Sequence, residues 1–241
     1  MTREGGAPSI AVIGGGLTGL MTAAALSHAG PRVHLIDRAE SDAAHPDERT
    51  TTINAAGARM LAALGAWDRL ETPPAPVTRI AVAEGPAPTG LAARRRPDSD
   101  LSWQSGDAPM GYVVANAALQ SALRETLAAT NVIERRGCGV TGWSAGDTIS
   151  SLGLADAAGQ EETMEAALVV ACDGARSMMA ELAGLGRREE RQRQTAIVTT
   201  LRAERPHEGT AFQRFLPTGP FALMPGPGDA GGYEMSPVWT L

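Results

Sequence analysis

The stretch Ser9-Ile-Ala-Val-Ile-Gly-Gly-Gly-Leu-Thr-Gly-Leu20 runs from an apolar segment through a glycine turn into a helical pattern. Ile10, Val12 and Ile13 form the β-branched run of a buried parallel strand. Gly14, Gly16 and Gly19 have the spacing G-x-G-x-x-G. In that pattern the first glycine permits a tight turn, the second lets backbone approach a pyrophosphate, and the third lets helix pack closely on strand. A helix from about Leu17 to His28 would aim its free N–H groups and positive dipole end at phosphates. Ala29-Gly30 ends it, since glycine tolerates the left-handed position after a helix. A second strand, Arg32-Val-His-Leu-Ile-Asp37, closes on a carboxylate eighteen residues after Gly19, where a ribose-binding acid is expected. Strand, glycine turn, helix, strand and acid in this order describe a dinucleotide site.

The rest of the composition narrows the class. A chain of 241 residues is long enough to bury roughly 70–75% of its unfolded surface, in one large or two small domains. It is 43% hydrophobic and 20% charged, in the range of globular proteins, and no apolar run approaches the roughly 20 residues of a membrane span. The start Thr2-Arg-Glu4 and the glycine turn do not fit a secretory signal, so the expected compartment is the cytoplasm. A net charge of −6 argues against a nucleic-acid surface. All 21 basic residues are arginine, which removes lysine Schiff-base and lysine general-base mechanisms. Cys138 and Cys172 lack any C-x-x-C spacing and read as free thiols. His28, His34, His45 and His207 are scattered without ligand spacing, so no metal site is expected, and His207 reads as an exposed loop residue.

Along the chain, residues 38–49 read as a polar loop, and Ile53, Met60, Leu61, Leu64 and Trp67 follow a helical period. Val77 to Ala83 alternates as a strand does, and residues 84–109 read as loop, with Arg94-Arg-Arg96 as either solvated charge or an anion site. Gly111 to Val114 is a strand and Asn116 opens a helix whose Leu119, Leu123 and Leu127 face a core. Short strands follow at 132–135, 139–143 and 148–154, then a buried strand, Ala167-Leu-Val-Val-Ala-Cys172, ending in Asp173-Gly174. From Gln194 the pattern is β, at 195–201, 210–216, 221–224 and 233–241. The α/β and β-rich pieces alternate, as in a nucleotide domain with a sheet domain inserted into it.

With the glycine motif, Arg49 and Asp173-Gly174-Ala-Arg-Ser177 in view, the sequence resembles the FAD-dependent aromatic hydroxylases, single-component flavoprotein monooxygenases. The resemblance assigns cofactor binding to Gly14, Gly16, Gly19, Asp37, Arg49, Asp173 and Gly174, and makes Asn116 a candidate contact to the FAD phosphates. Arg49 would offer a cationic fork and Asp173 an acceptor for ribose hydroxyls; the ordinary alternatives are a surface charge and a helix cap. More narrowly, the segments 49–67, 194–198 and 211–225 are similar to the ubiquinone-biosynthesis hydroxylases of the UbiH/UbiF type. That similarity would place Phe212, Phe215, Leu223 and Pro225 near a ring pocket, although a sheet core uses the same residue types. The implied fold is α/β, a Rossmann-like FAD-binding domain (1–72 and 113–186) interleaved with a β-sheet substrate domain (73–112 and 187–241). The family pattern continues past Leu241 with a second FAD motif, so the chain is expected to be C-terminally incomplete, and Ala180 stands where the family commonly has Arg.

The implied reaction is hydroxylation of a polyprenylated phenol with FAD, NAD(P)H and O2, the cofactor carrying the redox chemistry; no protein base for the phenol can be assigned from the sequence. The implied partners are that substrate, other ubiquinone-biosynthesis proteins and at most a peripheral membrane contact, with no nucleic acid. Two alternatives stay open. A nicotinamide-dependent dehydrogenase shares the glycine motif but has no need of Arg49 or Asp173-Gly174, and a non-catalytic nucleotide-binding remnant or assembly partner would show no substrate-dependent oxidation.

Overall fold

The computed structural model describes residues 9–40, 47–86, 100–186, 188–190 and 192–241. Arg94 to Arg96 and His45 lie outside them. The elements in chain order begin with β1 (Ser9–Ile13), α1 (Leu17–His28), β2 (Arg32–Asp37), β3 (Thr50–Asn54) and α2 (Ala55–Ala63). Next come β4 (Ala75–Val77), β5 (Arg79–Glu84), β6 (Leu101–Gln104), β7 (Gly111–Ala115) and α3 (Asn116–Ala128). After these are β8 (Ile133–Arg136), β9 (Cys138–Ser144), β10 (Ser150–Asp156), β11 (Glu161–Ala166), β12 (Leu168–Ala171) and α4 (Met178–Leu182). The last are β13 (Ala196–Val198), β14 (Leu201–Arg202), β15 (Thr210–Leu216), β16 (Gly219–Pro225) and β17 (Glu234–Thr240).

The chain divides into two compact units, the first made of residues 1–46, 63–69 and 119–190, the second of 47–62, 70–118 and 191–241. The α/β and β-rich pieces are interleaved, as the sequence pattern implies. The boundaries differ from the expected ones: residues 47–62 cluster with the sheet-rich unit, because β3 pairs antiparallel with β7.

In the first unit, four parallel strands run in the order β12-β1-β2-β8. Alternation sends Val12, Val33 and Leu35 to one face and Ala11, Ile13 and Ile36 to the other, and all six are buried. Ala11, Ile13 and Ile36 pack with Leu152, Leu154, Met164 and Ala166 of the antiparallel sheet β11-β10-β9. Leu20, Ala23 and Ala24 of α1 are buried, as are Leu119, Leu123 and Leu127 of α3, so the expected leucine face is core. β12 departs from its reading as a buried strand. Among the described residues it has one neighbour, β1, and Leu168 is 49% exposed.

The second unit holds a sheet in the order β13-β17-β16-β15-β5-β6, with β14 also on β17, and a small sheet β3-β7-β4. Among the described residues, only β15 and β5 pair in parallel within the larger sheet. Two readings are corrected here, and one strand of the first unit, β11, is assigned no element from the sequence. Thr50–Asn54 is strand, and the helix expected around Ile53 to Trp67 starts at Ala55 and stops at Ala63, before Gly65 at φ +76°. Leu101–Gln104, read as loop, pairs with β5 as an edge strand exposed at every position. Glu161–Ala166, rich in poor strand formers, becomes β11 because Met164 and Ala166 alternate into the core.

Candidate functional site

The glycine loop is held from both sides by the parallel sheet. The Gly14 amide donates to the Ile36 carbonyl at 2.8 Å, and the Cys172 amide donates to the Ile13 carbonyl at 2.7 Å. Gly14 takes φ +105°, and a Cβ there would collide with the Cys172 carbonyl, so a side chain is excluded both sterically and conformationally. Gly19 fits against the Gly14 carbonyl just as closely, which lets α1 approach the strand. Gly16 is different: no atom lies within 4 Å of where its Cβ would be. It is the N-cap of α1 and no side chain caps the helix, leaving first-turn amides for a ligand. A cavity of about 340 Å³ opens here, lined by Gly14, Gly16, Asp37, Asp173 and Gly174, with both cysteines in its wall.

Asp37 ends β2 with its carboxylate largely shielded, at 16% exposure, and Oδ1 accepts from the Ala39 amide at 3.2 Å. Asp173 follows β12 and lies in the same wall. Burial alone would push its pKa up, but the Ser177 hydroxyl at 2.6 Å and the Met179 amide at 3.1 Å outweigh that and hold it below the usual carboxylate value. Asp173 is therefore also a helix cap, the ordinary alternative for it, acting on α4 together with Ser177, whose Oγ accepts from the Ala180 amide at 3.0 Å. Replacing Ser177 by alanine should cost about 1 kcal/mol in urea unfolding at neutral pH. Because the folded-state pKa of Asp173 lies below its unfolded value, its contribution is fully present above about pH 4 and lost as pH falls through the folded pKa. The difference between wild type and Ser177→Ala should shrink on acidification; a constant difference would show that the Asp173 carboxylate is not involved.

Arg49 and Asn116, both assigned by resemblance to the cofactor, meet on a third residue that the sequence reading did not single out. Asp47 accepts from Arg49 Nε and Nη2, each at 2.7 Å, and from Asn116 Nδ2 at 2.9 Å. The Arg49 guanidinium, reinforced by the Asn116 amide, holds the Asp47 carboxyl far below the usual range against the opposing effect of burial. Asn116 heads α3, is 7% exposed, and its Oδ1 accepts from the Thr51 hydroxyl. Its side chain is thus largely committed inside the protein, whereas Arg49 is 71% exposed with the Nη1 edge of its fork turned away from Asp47. The D-x-R spacing was the available signal, since an Asx turn brings the carboxylate back onto the Arg49 amide at 3.1 Å.

The four residues expected near a ring pocket do not share one face. In the register of β15 and β16, Phe212 pairs with Leu223 while Phe215 pairs with Pro220, three residues along. Alternation puts Phe212, Leu223 and Pro225 on one face and Phe215 on the other, where it is 48% exposed. A cavity of about 290 Å³ is lined by Thr52, Asn54, Ile80, Phe212, Gln213 and Met224. A second, of about 540 Å³, is bordered by Phe212 and Leu223 with Arg79 and His207. His207 is half-buried rather than exposed: its Nδ1 accepts from the Gly209 amide at 2.9 Å, and burial lowers its pKa.

Residues 8–231 match the family described as FAD binding domain. The chain belongs to that family. It is 36% identical over 238 residues to the ubiquinone hydroxylase UbiL of Rhodospirillum rubrum, covering 96% of this chain and 51% of that protein. With the 3-demethoxyubiquinol 3-hydroxylase of Escherichia coli it shares 28% identity over 234 residues, 90% of this chain and 54% of the other. Among solved structures, p-nitrophenol 4-monooxygenase PnpA of Pseudomonas putida DLL-E4 superposes with a TM-score of 0.75 at 20% identity, over 98% of this chain and 58% of that one. The chain thus spans about half the length of the curated relatives it matches.

The family match runs through both units, and the first unit holds groups of the kind a nucleotide needs. Around the open space over Gly16, the uncapped amides of α1 can donate hydrogen bonds to an anion, and the Asp37 and Asp173 carboxylates in the same wall can accept them.

Proposed function

We propose that this chain forms the FAD-binding and sheet portions of a monooxygenase that hydroxylates the aromatic ring of a polyprenylated phenol. The observation that carries the reading is the glycine-loop cavity, with its open Gly16 and uncapped helix start. The names of the relatives supply the substrate class. In the balanced reaction, phenol, O2, NAD(P)H and a proton give the hydroxylated phenol, NAD(P)+ and water. Bound FAD supplies the redox chemistry. Gly14, Gly16 and Gly19 shape its phosphate site, Asp37, Asp173 and Gly174 its ribose side, and Arg49, backed by Asp47 and Asn116, contributes positive charge to the pyrophosphate. In the second unit the 290 Å³ cavity suits a planar apolar ring, with Phe212 and Met224 as walls and Thr52, Asn54 and Gln213 as polar groups for a hydroxyl. Phe215, Leu223 and Pro225 are left for the prenyl tail or for packing. A peripheral membrane contact and association with other ubiquinone-biosynthesis proteins belong to this proposal; among the described residues no helix is long and apolar enough to cross a membrane.

The test is a fluorescence titration of the purified chain with FAD, FMN and NAD. Selective binding of FAD is expected. Preference for NAD would turn the reading to a nicotinamide-dependent dehydrogenase, and loss of all nucleotide binding would turn it to a non-catalytic remnant.

A further inference from the structure

Arg124 lies in the middle of α3, outside every motif of the sequence, yet its side chain is only 14% exposed and reaches the glycine loop. Nη1 donates to Glu134 Oε2 of β8 at 2.8 Å. Nη2 donates to the Gly15 carbonyl at 3.4 Å and lies 3.7 Å from Asp37 Oδ2. One guanidinium thus joins a strand, the glycine loop and the acid at the end of β2. A Cβ on Gly15 would collide with the Asp37 carboxylate, so loop and acid are in direct contact beneath Arg124. Asp37 is then held at both oxygens, Oδ1 by the Ala39 amide and Oδ2 by Arg124. The Gly15 carbonyl has a second consequence. In a trans peptide C=O and N–H point in opposite directions, so turning this carbonyl toward Arg124 turns the Gly16 N–H away from it, and Gly16 lines the cavity.

We propose that Arg124 is a positioning residue of the nucleotide site, setting at once the carboxylate that receives the adenosine ribose and the loop amide that receives the phosphate. The proposal rests on the nucleotide reading of the glycine loop. Arg124 touches no ligand; it acts through Asp37 and Gly15. Its charge is also needed there. Without it Asp37 and Glu134, two partly shielded carboxylates on neighbouring parallel strands, would lose the cation they share, and Asp37 Oδ2 would lose the group that fixes its direction.

The experiment compares ADP with 2′,3′-dideoxyadenosine diphosphate, which keeps the phosphates and lacks the ribose hydroxyls. Wild type should prefer ADP by about tenfold or more, the range for hydrogen bonds to a charged acceptor. In Arg124→Met, and in the milder Arg124→Gln in case the first does not fold, affinity for both ligands should fall and their ratio should approach one. Asp37→Asn should erase the same preference, and adding it to Arg124→Gln should lower the ratio no further. Glu134→Gln removes the ion pair on the other edge of the guanidinium and should leave the ratio within about twofold of wild type. A merely structural Arg124 would lower stability and keep the ratio, which overturns the proposal. Failure of wild type to bind either diphosphate would overturn the nucleotide reading itself, and the two failures are distinct.

Discussion

Replacing Gly14 by alanine should lower the unfolding free energy by roughly 2–4 kcal/mol and abolish measurable FAD binding, whereas replacing Gly16 by alanine should leave stability within about 1 kcal/mol and still weaken FAD at least about tenfold. The two glycines belong to one motif but meet different surroundings. At Gly14, φ is +105° and the Cys172 carbonyl occupies the space a Cβ needs, so the loop or β12 must move in the free protein. That movement would also disturb the Ile36 and Cys172 hydrogen bonds that hold the loop to the sheet. At Gly16 no atom lies within 4 Å, so a methyl group is accommodated until a ligand approaches. Urea unfolding and an FAD titration on the two variants separate the effects. Unchanged FAD affinity in a folded Gly16→Ala protein would remove the pyrophosphate from above this loop.

Replacing Arg49 by glutamine should weaken FAD binding about tenfold to a hundredfold with a stability change of less than about 1 kcal/mol, while Asp47→Ala should lose both affinity and about 1–2 kcal/mol of stability. Arg49 is 71% exposed, so its ion pair with Asp47 is screened by water and contributes little to folding. Its value lies in a fork whose Nε edge is fixed by Asp47, which leaves the other edge oriented for an anion. Asp47 has a further partner. Its loss strands the Nδ2 of Asn116, a side chain 7% exposed, and an amide left without an acceptor in a shielded site costs more than an exposed ion pair. The folded-state pKa of Asp47 is depressed, so its stabilisation is fully present above about pH 4 and falls away as acid titrates it. Wild type and Asp47→Ala should therefore converge in stability on acidification. Equal FAD affinity in wild type and Arg49→Gln would rule Arg49 out as a pyrophosphate contact.

Much of the first unit follows from local signals. Three glycines at fixed spacing, a β-branched run before them and a helix ended by Gly30 are local features, and β1, α1 and β2 lie at the positions these imply. Asp37 and Asp173 each end an apolar strand, and both line the cavity beside the glycine turn. The leucines of α3 announce their buried face by a four-residue repeat.

Other features depend on partners far away in the chain. Ile53 and Asn54 read locally as the start of a helix, but the hydrogen bonds of β7, about sixty residues on, draw them into β3. β11 has a charged, unpromising composition and exists because β10 is beside it. Whether Phe212 and Phe215 share a pocket is decided by alternation on β15, not by their residue type. The clusters around Asp47 and Arg124 join residues 69 and 87 positions apart, respectively Asn116 and Asp37. The sequence by itself determined the nucleotide loop, its helix and its acids, because each is set by the steric and hydrogen-bonding needs of neighbouring residues. Only the tertiary structure decided which side chains hold that machinery in place, because a guanidinium or amide chooses its partner by what folding brings within about 3 Å of it.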